Sequence, residues 1–400
     1  MNLESFIALA REKGASDLHL EAGLPAALRI RSILGTIGEP VPAQRLAEDA
    51  RALIGEDLWP VFLERRSFDL SRTIQGVRCR INVLQTARGI GFAVRLLAAF
   101  EATIEKLNLH PDLKKLATQQ NGLVLICGPT GCGKSSTLAA LIQEINLTDS
   151  RHIVTIESPI EYAFRPRRAY IRQREVGRDT PSFDQALLDA MRENPDVLMV
   201  GEMREPATIR LTLNASETGH LVLSTIHSAS CVEALQRVVS AFSPEIQASV
   251  AAQLADCIVG VVAQRLRFRP ELNMLLPECE ILTPSHAVKN FIRNREFFKI
   301  ASMLETGAAQ GMWTFQRYQG WMDKRTQWER PPSAAEAPAE APDDLVAEVP
   351  PPVLGGGFAP VTTGAKSHSV SSVPVTAKPA GPIVIEPVEG GLEELVKKMK

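Results

Sequence analysis

The run Leu123-Val124-Leu125-Ile126-Cys127 leads without a break into Gly128-Pro129-Thr130-Gly131-Cys132-Gly133-Lys134-Ser135. Consecutive apolar residues ahead of a glycine read as a strand covered on both faces. The eight residues that follow fit the pattern G-x-x-x-x-G-K-[ST] and run on through Ser136 into helix-forming sequence. Strand, glycine loop and helix together give that spacing a mechanism. The glycines let backbone N–H groups wrap phosphate oxygens, and the helix N-terminus adds partial positive charge. Gly128, Pro129, Thr130, Gly131, Cys132, Gly133, Lys134, Ser135 and Ser136 are thus the expected cradle for ATP. Lys134 should reach the β and γ phosphates, and the Ser135 hydroxyl should join the Mg2+ shell.

Outward from this loop, residues 101 to about 330 alternate apolar runs with helical segments, the α/β pattern of a parallel-rich sheet covered on both faces. Strands are expected at Leu123 to Cys127, Ile153 to Ile156, Val197 to Val200 and Leu221 to Thr225. Several of them end in polar groups at the carboxyl edge, where ligands of open α/β sheets bind. Glu157 follows Ile156, Glu202 follows Val200-Gly201, and His227 follows Thr225-Ile226. Hydrolysis needs a carboxylate to activate water and a group near the γ-phosphate, so Glu202 and His227 have suitable chemistry. His220 precedes its strand, and pattern alone places it at the far edge as a structural residue. The helix Ala287 to Ile292 and the segment Ile300 to Phe315 read as a small helical annex.

Residues 1 to about 100 read as a small α+β unit that opens with a helix bearing Leu3, Phe6, Ile7 and Ala10 on one stripe. From Val77 to Val83, apolar Val77, Cys79, Ile81 and Val83 alternate with Arg78, Arg80 and Asn82, the period of a half-buried strand with a positive outer face. Arg78, Arg80 and Arg95 could act in trans on a neighbouring subunit's nucleotide. A solvated arginine face explains the same pattern.

Residues 331 to 389 hold twelve of the 27 prolines with Ala, Ser, Thr and Gly clusters, the composition of a disordered tether. Residues 390 to 400 place Leu392, Leu395, Val396 and Met399 at helical spacing, with acidic residues early and lysines late. A short docking helix and a solvated tail both fit.

Hydrophobic residues make up 45% of the chain, enough for a substantial core, and the formal net charge is -2. Backbone binding to nucleic acid needs a track of Lys or Arg phosphate contacts, so a nucleic-acid translocase is disfavoured. The opening residues lack the basic flank and apolar core of a signal peptide, and no charge-free apolar stretch of about 18 residues occurs, so a cytoplasmic chain with at most peripheral membrane contact is expected. The six cysteines form no C-x-x-C pair, which favours reduced thiols over zinc ligation.

Taken together these motifs resemble the secretion-ATPase superfamily, and within it the PilT/PilU-type pilus-retraction ATPases. The resemblance starts at Ala15-Ser16-Asp17-Leu18-His19-Leu20 and Gly23-Leu24-Pro25 and extends to about residue 315. Val154 to Tyr162, VTIESPIEY, is similar to the acidic "Asp box", and Gln173 to Asp179 reads QREVGRD. Asp196 to Glu205, DVLMVGEMRE, resembles an atypical Walker B, and Thr218 to His227, TGHLVLSTIH, the "His box".

The resemblance implies a PAS-like first domain, a RecA-like ATPase domain and a hexameric ring. It makes Glu202 the general base and assigns His220 and His227 to the nucleotide site, which revises the structural reading of His220. Glu157 joins Ser135 at the metal, and Arg80 and Arg95 face the neighbouring subunit's nucleotide. The implied partners are an inner-membrane pilus platform protein and, in an accessory role, a second retraction ATPase. The chain lacks the tetracysteine motif and extra N-terminal region of extension and type II secretion relatives. Ala287 to Asn294, AVKNFIRN, is similar to the AIRNLIRE motif of retraction.

There are departures from the family pattern. Ser158 stands where the family usually has Asp, and Asn294 ends the retraction motif in place of Glu. An assembly or secretion ATPase and a weakly hydrolysing, nucleotide-gated scaffold are the alternatives.

Overall fold

The computed structural model describes residues 1–330 apart from 31, 32 and 98–100. The expected tether and terminal helix lie outside the described residues. The N-terminal part folds as β1 (Asp17–Glu21), β2 (Ala26–Ile30), β3 (Ile33–Ile37), β4 (Ser67–Ile74), β5 (Val77–Thr86) and β6 (Gly89–Leu97). These form one antiparallel sheet in the order β3-β2-β1-β6-β5-β4. Helices Leu3–Glu12, Ala43–Ile54 and Trp59–Arg65 share its core, and Leu3, Phe6, Ile7 and Ala10 are buried as their spacing predicts. Asn2 caps the first helix by accepting from the Ser5 N–H at 3.0 Å, which satisfies one of the unpaired donors at a helix start.

The second sheet contains β7 (Gly122–Cys127), β8 (His152–Glu157), β9 (Tyr170–Glu175), β10 (Val197–Val200), β11 (Leu221–Ile226), β12 (Ile258–Arg269) and β13 (Met274–Leu282). Its order is β13-β12-β7-β11-β10-β8-β9, parallel throughout except for the antiparallel β12/β13 pair. Every residue of β7, β10 and β11 is buried. Alternate residues of β7 serve opposite cores. Leu123, Leu125 and Cys127 pack toward helices Phe183–Ala190, Pro206–Glu217, Cys231–Ser240 and Gln247–Cys257, whereas Val124 and Ile126 pack toward helices Lys134–Thr148 and Phe315–Met322. Burial on both faces is why the run is apolar without alternation.

Two parts of this sheet were not anticipated. β9 reads Tyr-Ile-Arg-Gln-Arg-Glu, and its polar side chains are spent on ion pairs such as Arg174 with Glu193 at 3.3 Å. The second half of β12 is equally basic because Glu278 of β13, fully buried, holds Arg265 at 2.9 Å and Arg267 at 3.1 Å. After β13 the chain forms helices His286–Arg293, Ile300–Thr306 and Phe315–Met322. No described helix is long and apolar enough to cross a membrane.

Candidate active site

The carboxyl ends of β7, β8, β10 and β11 point to one edge, because these strands are parallel and in register there. The glycine loop leaves β7 at that edge and feeds helix Lys134–Thr148. Gly128 has φ +154 and Gly133 has φ +90. A Cβ at Gly128 would lie 2.3 Å from the Gln264 carbonyl oxygen and 2.4 Å from the Cys132 sulfur, so only glycine fits. The Lys134 ammonium donates to the carbonyls of Gly128 and Pro129, each at 3.0 Å.

Gln264, on β12, carries no local signal that singles it out. Its side chain donates to the Cys132 carbonyl at 2.7 Å and accepts from the Thr137 hydroxyl at 2.6 Å, at 3% exposure. Both polar ends of one buried amide thereby join the glycine loop to the helix that follows it.

Glu202 sits just beyond β10 on a segment pinned to both neighbours. The Gly201 N–H donates to the Ile156 carbonyl at 2.8 Å, and the Met203 N–H donates to the Thr225 carbonyl at 2.9 Å. The Glu202 carboxylate pairs with Arg204 at 2.7 Å and lies 3.8 Å from His227 Nε2. Arg237 holds the His227 carbonyl at 2.6 Å. Burial, followed by the positive charge of Lys134, pushes the His227 pKa down and favours the neutral ring. Glu202, His227 and Lys134 therefore share one electrostatic environment. Arg204 and Arg237 are further residues missed from the sequence, since nothing in their spacing marks them.

Glu157 ends β8 at 6% exposure and accepts from Thr155 Oγ1 at 2.7 Å and Gln173 Nε2 at 3.1 Å. Burial pushes its carboxyl from the ordinary 4.5 up to about 7, and the nearby Glu161 charge adds to this. Tyr162, five residues on, meets the Ser136 hydroxyl at 2.7 Å and so ties this acidic loop to the phosphate-loop helix.

The raised Glu157 pKa has a consequence for stability. The folded chain binds this proton more tightly than the unfolded chain, so the group stabilises below pH 4.5 and that contribution is lost as pH rises through about 7. Glu157→Gln in nucleotide-free protein should therefore flatten the fall in melting temperature between about pH 5 and 8. At pH 8 it should be more stable than wild type by about 3 kcal/mol at most. Identical slopes for the two proteins in thermal melts would contradict this.

The remaining site residues lie elsewhere. His220 precedes β11 at the opposite edge, with Nδ1 2.9 Å from the Ala215 carbonyl and 3.3 Å from the Thr218 hydroxyl. The strand between His220 and His227 spans about 20 Å. His220 therefore stands at the starting edge of β11, where its place ahead of the strand put it, and His227 stands at the opposite end of the same strand. Arg80 and Arg95 face each other across β5 and β6, and Arg95 pairs with Asp17 at 2.9 Å. Among the described residues neither makes a hydrogen bond or ion pair with residues 128–136. Arg78 is not on a solvated face: it is 6% exposed and paired within its own chain to Glu175, so it is unavailable to a neighbour.

The family described as Type II/IV secretion system protein matches residues 3–301. The chain belongs to this family of ATPases. Among secretion-family relatives, the type IV pilus retraction ATPase PilT of Pseudomonas aeruginosa is 37% identical over 78% of this chain and 92% of that protein. The type IV pilus ATPase PilU of the same organism is 32% identical over 86% of this chain and 90% of that protein. The crystal structure of the pilus retraction motor PilT with bound ADP superposes with a TM-score of 0.72 at 35% identity, covering 80% of this chain and 96% of that one. The mixed, largely parallel sheet of this family member is that of a nucleotide-binding secretion ATPase.

Proposed function

We propose that this chain is a motor of type IV pilus retraction, active as a homo-hexamer at the cytoplasmic face of the inner membrane. The observation that carries the reading is the match over 92% of the length of a retraction ATPase, joined to a loop-and-edge geometry suited to ATP hydrolysis. In this reading Gly128 to Ser136 cradle the phosphates, Lys134 binds the β and γ oxygens, and Glu202 is the general base. His227, neutral and beside Glu202, senses the γ-phosphate. Arg80 and Arg95 act in trans; they face each other across β5 and β6, with Arg95 held by Asp17 in its own chain. The resemblance also assigns His220 to the nucleotide site; from the starting edge of β11 it would act there through a neighbouring subunit. The first domain, to about residue 100, is classed as PAS-like, and 101–330 as RecA-like with its annex.

Among the described residues no group of three or more His, Cys, Asp or Glu could hold a metal. Mg2+ takes hard oxygen ligands and usually keeps waters and phosphates with only one or two protein groups. Ser135 and Glu157 would supply those groups, and a cation nearby would give the buried Glu157 a reason to ionise. Mg2+ would neutralise charge developing on the phosphate oxygens.

Partners in this reading are the inner-membrane platform protein and a second retraction ATPase. The accessory, PilU-like variant is favoured by Ser158, which leaves the acidic loop one carboxylate short of the family pattern. Deletion of the gene tests the proposal, since loss of a retraction motor leaves surplus surface pili, whereas loss of an assembly ATPase leaves none.

A further inference from the structure

A buried polar network joins the two sheets at a place the phosphate chemistry above does not use. Arg78 of β5 donates to the backbone carbonyl of Ile160 from Nη2 at 3.1 Å and from Nε at 3.4 Å, and Nη2 also donates to the Ser71 hydroxyl. That hydroxyl donates in turn to Glu175 at the end of β9, and the Ser71 N–H donates to the same carboxylate at 3.3 Å. Glu175 also accepts from the Ile160 N–H at 3.1 Å, and its carboxylate lies 3.8 Å from Arg78. Ser71, Arg78, Ile160 and Glu175 are all buried.

Both backbone groups of Ile160 are thus gripped, one by each member of an ion pair that spans the two sheets. Ile160 is three residues beyond Glu157 and immediately precedes Glu161 and Tyr162, the latter in contact with Ser136 of the phosphate-loop helix. Glu175 is the register partner of Glu157 across β8 and β9. Any displacement of the first sheet must therefore either carry the acidic loop with it or strip a buried guanidinium of its partners. The second course is strongly disfavoured, because an uncompensated buried charge is costly. Such networks favour discrete engaged and disengaged arrangements over gradual slippage.

We propose that Arg78 is a positioning residue for ATP hydrolysis: through Ile160 and Glu175 it sets the acidic loop 157–162 from the first domain of the same chain, so that turnover depends on the position of that domain. The inference rests on ATP hydrolysis by this chain but not on what the motor moves. A chain that hydrolyses ATP without retracting pili would sink the proposed function and leave this test intact.

The test uses the full chain with Ser71→Ala, Arg78→Met and Arg78→Lys, measuring kcat and KM for ATP and the dissociation constant of a fluorescent ADP. Ser71→Ala removes only the bridging hydroxyl, so it keeps the test decisive should Arg78→Met fail to fold. In Ser71→Ala kcat should fall about tenfold while ADP affinity stays within about twofold, as expected for misplacement of groups around a bound substrate. Arg78→Met should lose more than Ser71→Ala, with Arg78→Lys recovering part of it. Unchanged kcat in folded Ser71→Ala, or a parallel loss of kcat, ADP affinity and melting temperature, would overturn the proposal, since a latch that only stabilises the fold gives one or the other.

Discussion

Glu202→Gln is expected to lower ATP turnover by about 10³-fold, with nucleotide affinity preserved within about threefold. The substitution keeps the shape of the side chain and removes its capacity to accept a proton. The segment bearing it is fixed by backbone bonds from Gly201 to Ile156 and from Met203 to Thr225, so the variant should fold as wild type does. The Glu202 carboxylate lies 3.8 Å from His227 Nε2 and 2.7 Å from Arg204. A coupled assay with Mg2+ and saturating ATP measures this directly. Residual turnover above a tenth of wild type would remove Glu202 from the role of base.

Lys134→Ala should weaken ATP binding by about 10²-fold or more, because charge-assisted hydrogen bonds to two phosphates are lost together. In the nucleotide-free chain the ammonium bonds the Gly128 and Pro129 carbonyls at 3.0 Å, so binding exchanges two neutral acceptors for charged ones. Water can replace the ammonium on those carbonyls, since that contact is partly exposed. The melting temperature should therefore change little while calorimetric titration loses its ATP signal. Binding retained within about fivefold of wild type would contradict this account of the phosphate site.

What could be read from the sequence follows from how local each signal is. β7, the glycine loop and its helix were legible because a strand buried on both faces, glycines at positive φ and a helix start each leave a mark within a few residues. Glu157, Glu202 and His227 were legible as polar groups at the ends of apolar runs.

Arg78 misled for the opposite reason. Alternation placed it on an outer face, and only the approach of Glu175, 97 positions later in the chain, makes that face an interior one. Gln264 is invisible locally, since its partners Cys132 and Thr137 come from another part of the chain. His220 is legible by its position ahead of an apolar run. The strand-edge reading put it at the far edge, and the structure places it there.

Coupling of ATP hydrolysis in this chain to pilus withdrawal is the property on which the function rests. It is tested most directly by counting surface pili by electron microscopy in a deletion strain carrying either wild-type protein or Glu202→Gln. Surplus pili are expected in the deletion strain, with normal numbers restored by wild type and a persistent surplus with Glu202→Gln. Bald cells in the deletion strain, or full correction by Glu202→Gln, would contradict it.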